Sequence, residues 1–245
     1  MPSSKALQQH GLTVSNFGFS AVNVNELEAT EYTLVTIACD VSSSVASFDK
    51  DMEKCLKEIV EACRKSPRAD NLMLRLLVFH SSLEEIHGFK PLMDCNSSDY
   101  TDCLPIGGMT ALVDATVNAV EALDTYGKDL VENEYDCNGI LVVITDGCEN
   151  NSTNTVNQAK KAVQKILKQE SLESLVSILI GVNTKEADIG IYLADYKDKV
   201  GFTQYVDIEK ADAKTLAKLA KFISQSISSQ SQALGTGGPS QSLSF

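Results

Sequence analysis

The chain has 245 residues, of which 43% are hydrophobic and 22% charged, with a formal net charge of -12. Such a composition supplies a large buried core, enough for one α/β domain or two small ones. The acidic balance argues against a nucleic-acid backbone or an anionic membrane surface as the main partner, and surplus carboxylate is otherwise ordinary solubility.

Residues 1–30 form an N-terminal arm. Phe17, Phe19 and Ala21 alternate with Gly18 and Ser20, and Val22 and Val24 with Asn23 and Asn25, which fits a short strand or an extended segment laid on the domain. Residues 32–39 are near-continuously apolar, as in a central parallel strand covered on both faces. This strand ends in Asp40-Val41-Ser42-Ser43-Ser44, and a helix over 46–65 follows, with Phe48, Met52, Cys55, Leu56, Ile59, Val60 and Cys63 on one stripe. Ser66-Pro67 stops that helix. Residues 72–80 are a second strand and Ser81-Ser82 a turn; residues 85–89 read as a short antiparallel edge strand whose charges guard the edge. His80 and His87 have no third ligand in reach and take ordinary polar roles.

The loop over 91–105 begins like a calcium site with Asp94, Asn96 and Ser98. Asp99 stands where that site needs glycine and Pro105 where it needs a bidentate glutamate, so an EF-hand is excluded. Gly107-Gly108 gives a loop whose backbone can approach a ligand closely. Thr110 sits at the N-cap position of a helix over 111–126 that buries Leu112, Ala115, Thr116, Ala119, Val120 and Leu123. Residues 139–145 are another buried strand, ending in Asp146-Gly147. A helix over 155–169, a strand over 175–182, a short helix over 188–199, a short strand over 203–206 and a last helix over 212–228 complete the pattern. Residues 230–245 form a low-complexity tail of disordered composition.

Seven cysteines at irregular spacings, with no C-x-x-C pair, argue against a zinc framework or a disulfide scaffold. Free thiols, no signal-like N-terminus and no membrane-length apolar run lead to the expectation of a cytoplasmic protein. The N-x-S/T triplets at Asn96, Asn150 and Asn151 are then chance occurrences.

Alternating strands and helices imply a mostly parallel sheet with helices on both faces. Ligands of such sheets sit beyond the carboxyl ends of the strands. Asp40 and Asp146 lie at two such ends and Thr110 opens a helix at the same edge, so three distant segments converge on one rim.

The D-x-S-x-S of Asp40, Ser42 and Ser44, the Thr110 that follows a glycine pair, and the T-D-G of residues 145–147 resemble the metal-ion-dependent adhesion site of the von Willebrand factor A domain. The resemblance covers residues 32–228, within a domain of residues 31–229. It implies a three-layer Rossmann-like α/β fold with a six-stranded sheet, mostly parallel, one short antiparallel edge strand and helices on both faces. By motif position it also implies that Ser42, Ser44 and Thr110 ligate Mg²⁺ through their hydroxyls, with Asp40 and Asp146 acting directly or through water. Mn²⁺ or Ca²⁺ are the other candidates. The sequence departs from the common family pattern at Ser43 and Val45, neither a ligand, and at Met109, which separates the glycine pair from Thr110.

Mg²⁺ takes hard oxygen ligands and keeps several waters. Hydroxyls with two carboxylates leave it able to accept a carboxylate from a partner, which is how ligand binding works in this family. The expected function is a metal-dependent protein-binding module, similar to intracellular prokaryotic or viral members such as tellurite-resistance-type A domains. Its partner would be a protein offering an Asp or Glu, an AAA+ ATPase or another assembly component among them, and not a nucleic acid or a membrane. Two other classes compete. One is a structural subunit with a stabilising or vestigial site. The other is a metal-assisted hydrolase, against which stand the lack of Lys or His in the three motif segments and of a G-x-S-x-G elbow around Ser42 or Ser44. The expectation is therefore a protein that is not an enzyme.

Overall fold

In a strand buried on both faces, the alternation of side chains decides which helical layer each one meets. The computed structural model, which describes residues 5–169, 171–184, 187–240 and 242–245, shows this alternation along the central strand. Val35, Ile37 and Cys39 enter one apolar cluster, and Leu34 and Ala38 enter the other. Cys39 is thus a fully buried core side chain.

The elements in chain order are β1 (Leu7–His10), β2 (Phe19–Val22), β3 (Glu31–Asp40), α1 (Asp49–Arg64), β4 (Leu72–Phe79), β5 (Leu83–Pro91), α2 (Leu112–Glu132), β6 (Asp136–Thr145), α3 (Val156–Ile166), β7 (Leu175–Val182), α4 (Ala187–Val200), β8 (Gln204–Ile208) and α5 (Ala213–Thr236). They build a three-layer α/β fold. Helices α1 and α5 cover one face of the sheet, and α2, α3 and α4 cover the other. The strand order is β1-β2-β5-β4-β3-β6-β7-β8, with five of seven pairings parallel and β1·β2 and β4·β5 antiparallel.

The sheet therefore has eight strands where six are expected, because the N-terminal arm supplies two. β5 pairs antiparallel with β4 as expected, but it is not an edge: β2 lies against its other side, with Ala21 opposite Phe89. The reason is electrostatic and steric. Glu85, which reads as an edge guard, instead accepts from the wholly buried Arg75 at 2.7 Å and from the Ser20 backbone N–H and hydroxyl at 3.0 and 2.6 Å. Arg75 also donates to Asn118 at 2.8 Å, and Asn118 donates to the Ser15 hydroxyl at 3.0 Å. Glu121 accepts from the Val14 and Ser15 backbone N–H groups at 3.1 and 2.8 Å. A Cβ on Gly88 would stand 1.9 Å from the Ser20 carbonyl oxygen, so only glycine lets β2 come this close.

Three boundaries move for local reasons. Residues 43–47 form a 3-10 turn and α1 starts only at Asp49. α2 continues past residue 126 because Tyr126, Gly127 and Leu130 are still buried. α5 runs to Thr236, into the segment expected to be loose, and is closed by Gly237 in the left-handed conformation. Cys39, Cys55, Cys63, Cys95 and Cys137 are buried free thiols, and Cys103 is a half-buried one. Buried thiols report packing rather than redox compartment. Among the described residues no helix is long and apolar enough to cross a membrane.

Candidate metal site

β3 and β6 are neighbours in the sheet, but the helices that follow them leave in opposite directions. α1 packs with α5 on one face, and α3 packs with α2 and α4 on the other. The carboxyl ends of β3 and β6 therefore flank a topological switch point, where the diverging connections leave a crevice. Asp40 is the last residue of β3, and Asp146 directly follows β6.

The loop carrying Thr110 is tied into that crevice by backbone bonds. The Gly107 N–H donates to the Val41 carbonyl at 2.8 Å, Ser43 N–H to Gly108 at 3.3 Å, and Ala111 N–H to His80 at 2.9 Å. Gly108 has φ 74°, and a Cβ there would meet the Ser81 hydroxyl at 2.6 Å, so this position needs glycine. Met109 is accommodated by pointing outward, 49% exposed, while its N–H donates to the Ser81 hydroxyl at 2.9 Å.

The five side chains singled out in the sequence are brought together here. Ser42 Oγ lies 3.1 Å from Ser44 Oγ, and Ser44 Oγ donates to Asp146 Oδ1 at 2.8 Å. Asp40 is held on both oxygens, accepting from the Ser42 N–H at 2.8 Å and the Thr145 hydroxyl at 2.6 Å. Asp40, Ser42, Thr110 and Asp146 are all buried. Thr110 is not the helix cap that its position suggests. The N-cap of α2 is Ala111, with no side-chain cap bond, and Glu149 Oε2 accepts from the Val113 N–H at 2.8 Å instead. The Thr110 hydroxyl faces the Asp146-Gly147 turn, 3.6 Å from where a Cβ on Gly147 would stand.

Three residues outside the expected set complete the site. Thr145 fixes the Asp40 carboxylate. Asn150 clamps Thr110 reciprocally: its Oδ1 accepts the Thr110 N–H at 2.8 Å, and its own N–H donates to the Thr110 carbonyl at 3.1 Å. Glu149 caps α2 and also accepts the Ser152 hydroxyl at 2.6 Å. Thr145 was visible in the T-D-G triplet. Asn150 and Glu149 carried no sequence signal, because their partners lie across the chain. His80, outside the motif segments, comes beside the same loop, with Nδ1 3.2 Å from a Cβ built on Gly108.

The charge of Asp40 acts on the Asp146 carboxyl. None of the ion pairs among the described residues includes Asp40 or Asp146. Burial, and secondarily the charge of Asp40, pushes the Asp146 carboxyl up to about 6. Burial also raises Asp40, against the lowering effect of its bonds from Thr145 and Ser42. A divalent cation would relieve this stored repulsion. Among the described residues no group of three or more His, Cys, Asp or Glu side chains forms a metal site. The donor set is two carboxylates plus hydroxyls, hard oxygens suited to Mg²⁺ rather than to zinc. At the metal–oxygen distance of about 2.1 Å that Mg²⁺ demands, adjacent ligand oxygens of an octahedron sit about 3 Å apart. The Ser42–Ser44 and Ser44–Asp146 separations of 3.1 and 2.8 Å match that edge, so the residues fit the ion.

No protein-family model and no curated protein sequence matches the chain. Solved structures share its fold. The PilB minor pilin from Streptococcus sanguinis superposes with a TM-score of 0.62 at 15% identity, over 86% of this chain and 64% of that one. Proximal thread matrix protein 1 from the mussel byssus gives 0.55 at 17% identity, over 81% and 47%. The conserved hypothetical protein BatB from Bacteroides thetaiotaomicron gives 0.50 at 17% identity, over 82% and 99%. This chain thus spans less than two thirds of the pilin and about half of the matrix protein. At these identities the likeness is one of fold.

Proposed function

We propose that this chain is a von Willebrand factor A-type module that binds a protein partner through Mg²⁺ at the β3/β6 crevice, in an assembly role rather than as an enzyme. The observation that carries the reading is the run of oxygens Ser42 Oγ, Ser44 Oγ and Asp146 Oδ1, spaced at 3.1 and 2.8 Å beside two buried carboxylates, Asp40 and Asp146, that form no ion pair with a basic side chain among the described residues. In this reading Ser42 and Ser44 hold the ion through hydroxyls and Thr110 completes that set. Asp146 supplies charge directly. Asp40 acts through water, since both its oxygens are already engaged by Ser42 and Thr145. Bound Mg²⁺ supplies an under-neutralised ligand position that an aspartate or glutamate of the partner can enter. Met109, exposed beside Thr110, gives that partner an apolar contact at the edge of the site. The names of the fold neighbours, a minor pilin and a thread matrix protein, support assembly over catalysis.

Calorimetric titration with Mg²⁺ and Mn²⁺ tests the assignment. The wild type should bind one ion, and Asp146→Asn and Ser44→Ala should each weaken binding by about tenfold or more. Equal binding by all three proteins would refute the ligand set. A pull-down in the presence and absence of chelator tests the partner step, since capture should require the metal.

A further inference from the structure

The C-terminal segment does not trail away from the domain. Beyond Gly237, which closes α5, Phe245 lies back against that same helix. The Phe245 ring meets Phe222 edge-on, with centroids 5.6 Å apart, and Lys218 Nζ stands 4.1 Å from the centroid of the same ring. Gln204, at the start of the outermost strand β8, donates its side-chain amide to the Leu243 carbonyl at 2.9 Å. Ser240 Oγ lies 2.8 Å from Ser174 Oγ. Leu243 and Phe245 both pack against the core layer of α1 and α5.

The seat is specific but not tight. Leu243 and Phe245 are only half-buried. A cleft of about 610 Å³ lies beside Leu243 and Ser244, bounded by Ala62 of α1 and by Ser224, Ser228 and Gln232 of α5.

We propose that the groove along α5, flanked by Gln204 of β8 and open to the cleft beside α1, is a peptide-recognition site for a Leu-x-Phe segment, filled by residues 243–245 of the same chain and exchangeable with that segment of a second copy. Each recognition element has a separate task. Phe222 gives the aromatic wall, Lys218 offers a cation to the ring face, and the Gln204 amide reads the backbone between the two apolar side chains. Every copy carries both groove and segment, so an exchange recreates the same contacts in trans, which makes it a low-cost route to association. The short connection through Gly237, Gly238 and Pro239 keeps the effective concentration of a chain's own segment high, about millimolar by linker arguments. Exchange therefore prevails only where copies are crowded together. The groove is distinct from the β3/β6 crevice: Gln204 begins β8, at the end of the sheet opposite Asp40 and Asp146.

The test uses the full chain with Leu243→Ala and Phe245→Ala combined, which empties the groove without touching the core helices. A fluorescent peptide of sequence PSQSLSF is titrated against it and followed by anisotropy. Saturable binding is expected, unchanged by chelator. It should be at least about threefold weaker when Lys218→Glu or Gln204→Ala is added, and weaker for the wild type, whose groove is filled. No saturation, indifference to both added substitutions, or equal binding by wild type would overturn the site. Sedimentation should show a wild-type dimer fraction that rises with concentration and is lost in the double variant. A wild type that stays monomeric at every concentration would overturn the exchange.

Discussion

Asp146 is a carboxyl whose environment opposes its own charge, and this makes its behaviour with pH diagnostic. With its pKa pushed up to about 6 by burial and by Asp40, it holds a proton at pH 5 that it has lost by pH 7.5. A metal must displace that proton, so Mg²⁺ affinity should rise with pH through about 6 and level off above it. Titrations at pH 5.0, 6.0 and 7.5 check this, and a flat profile would remove Asp146 from the ligand set. Asn150 offers a second test at this scale. Asn150→Ala removes the acceptor of the part-buried Thr110 N–H, an unsatisfied donor that costs about 1–3 kcal/mol. Urea denaturation should show that loss and calorimetry a weaker Mg²⁺ affinity, whereas Asn150→Asp, which keeps the acceptor oxygen, should restore most of both. If Asn150→Ala binds metal as the wild type does, the clamp on Thr110 is structural only.

At the scale of elements, the arm is the part of the fold that depends on buried charge. Arg75 is wholly buried, and among the described residues its Nη1 has no hydrogen-bond partner and Glu85 is the one carboxylate paired with it. Removing one member of a buried pair strands the other, at a cost of about 3–5 kcal/mol. Glu85→Ala should therefore destabilise the chain by that order in urea. It should also speed amide exchange in β2, because Glu85 binds the Ser20 N–H and hydroxyl as well. A change under about 1 kcal/mol would mean that apolar contacts alone hold β2 in place. A milder effect belongs to α3, where Thr155 and Gln158 form a reciprocal capping box. Thr155→Ala should cost about 1 kcal/mol in the same measurement, with metal binding unchanged.

For the whole molecule, two groups bend the stability curve in opposite directions. His87 is buried between the Tyr100 hydroxyl and the Gly88 carbonyl, and burial lowers its pKa to about 4 from 6.5. The unfolded chain takes up that proton first, so the His87 contribution is lost as pH falls through 6.5 toward 4. Asp146 has the reverse sign. Its folded pKa is raised from 3.8 to about 6, so the metal-free chain loses its contribution as pH rises through that window. Asp146→Asn should therefore steepen the acid-side fall in melting temperature between pH 6.5 and 4. Added Mg²⁺ should raise the wild-type melting temperature at pH 7.5 and leave it unchanged at pH 5.

The sequence by itself determined the three-layer arrangement and the placing of Asp40, Ser42, Ser44, Thr110 and Asp146 on one rim. Both follow from signals local to a segment. An unbroken apolar run such as residues 139–145 specifies a strand covered on both faces, and a parallel sheet carries its polar groups beyond the carboxyl ends. Tertiary structure alone decided what depends on partners distant in the chain. Glu85 reads as an exposed edge charge until Arg75 and Ser20 close on it, which turns an edge strand into an interior one and a six-stranded sheet into eight. Thr110 reads as a helix cap until Glu149 takes over the capping and frees its hydroxyl to face Asp146-Gly147. The serine-rich tail reads as loose because composition averages over residues, yet two apolar side chains, Leu243 and Phe245, are enough to seat it once α5 provides a groove flanked by Gln204 of β8. Hydrogen bonds and ion pairs across tens of residues leave no periodicity in a sequence, so they become legible only when the chain is folded.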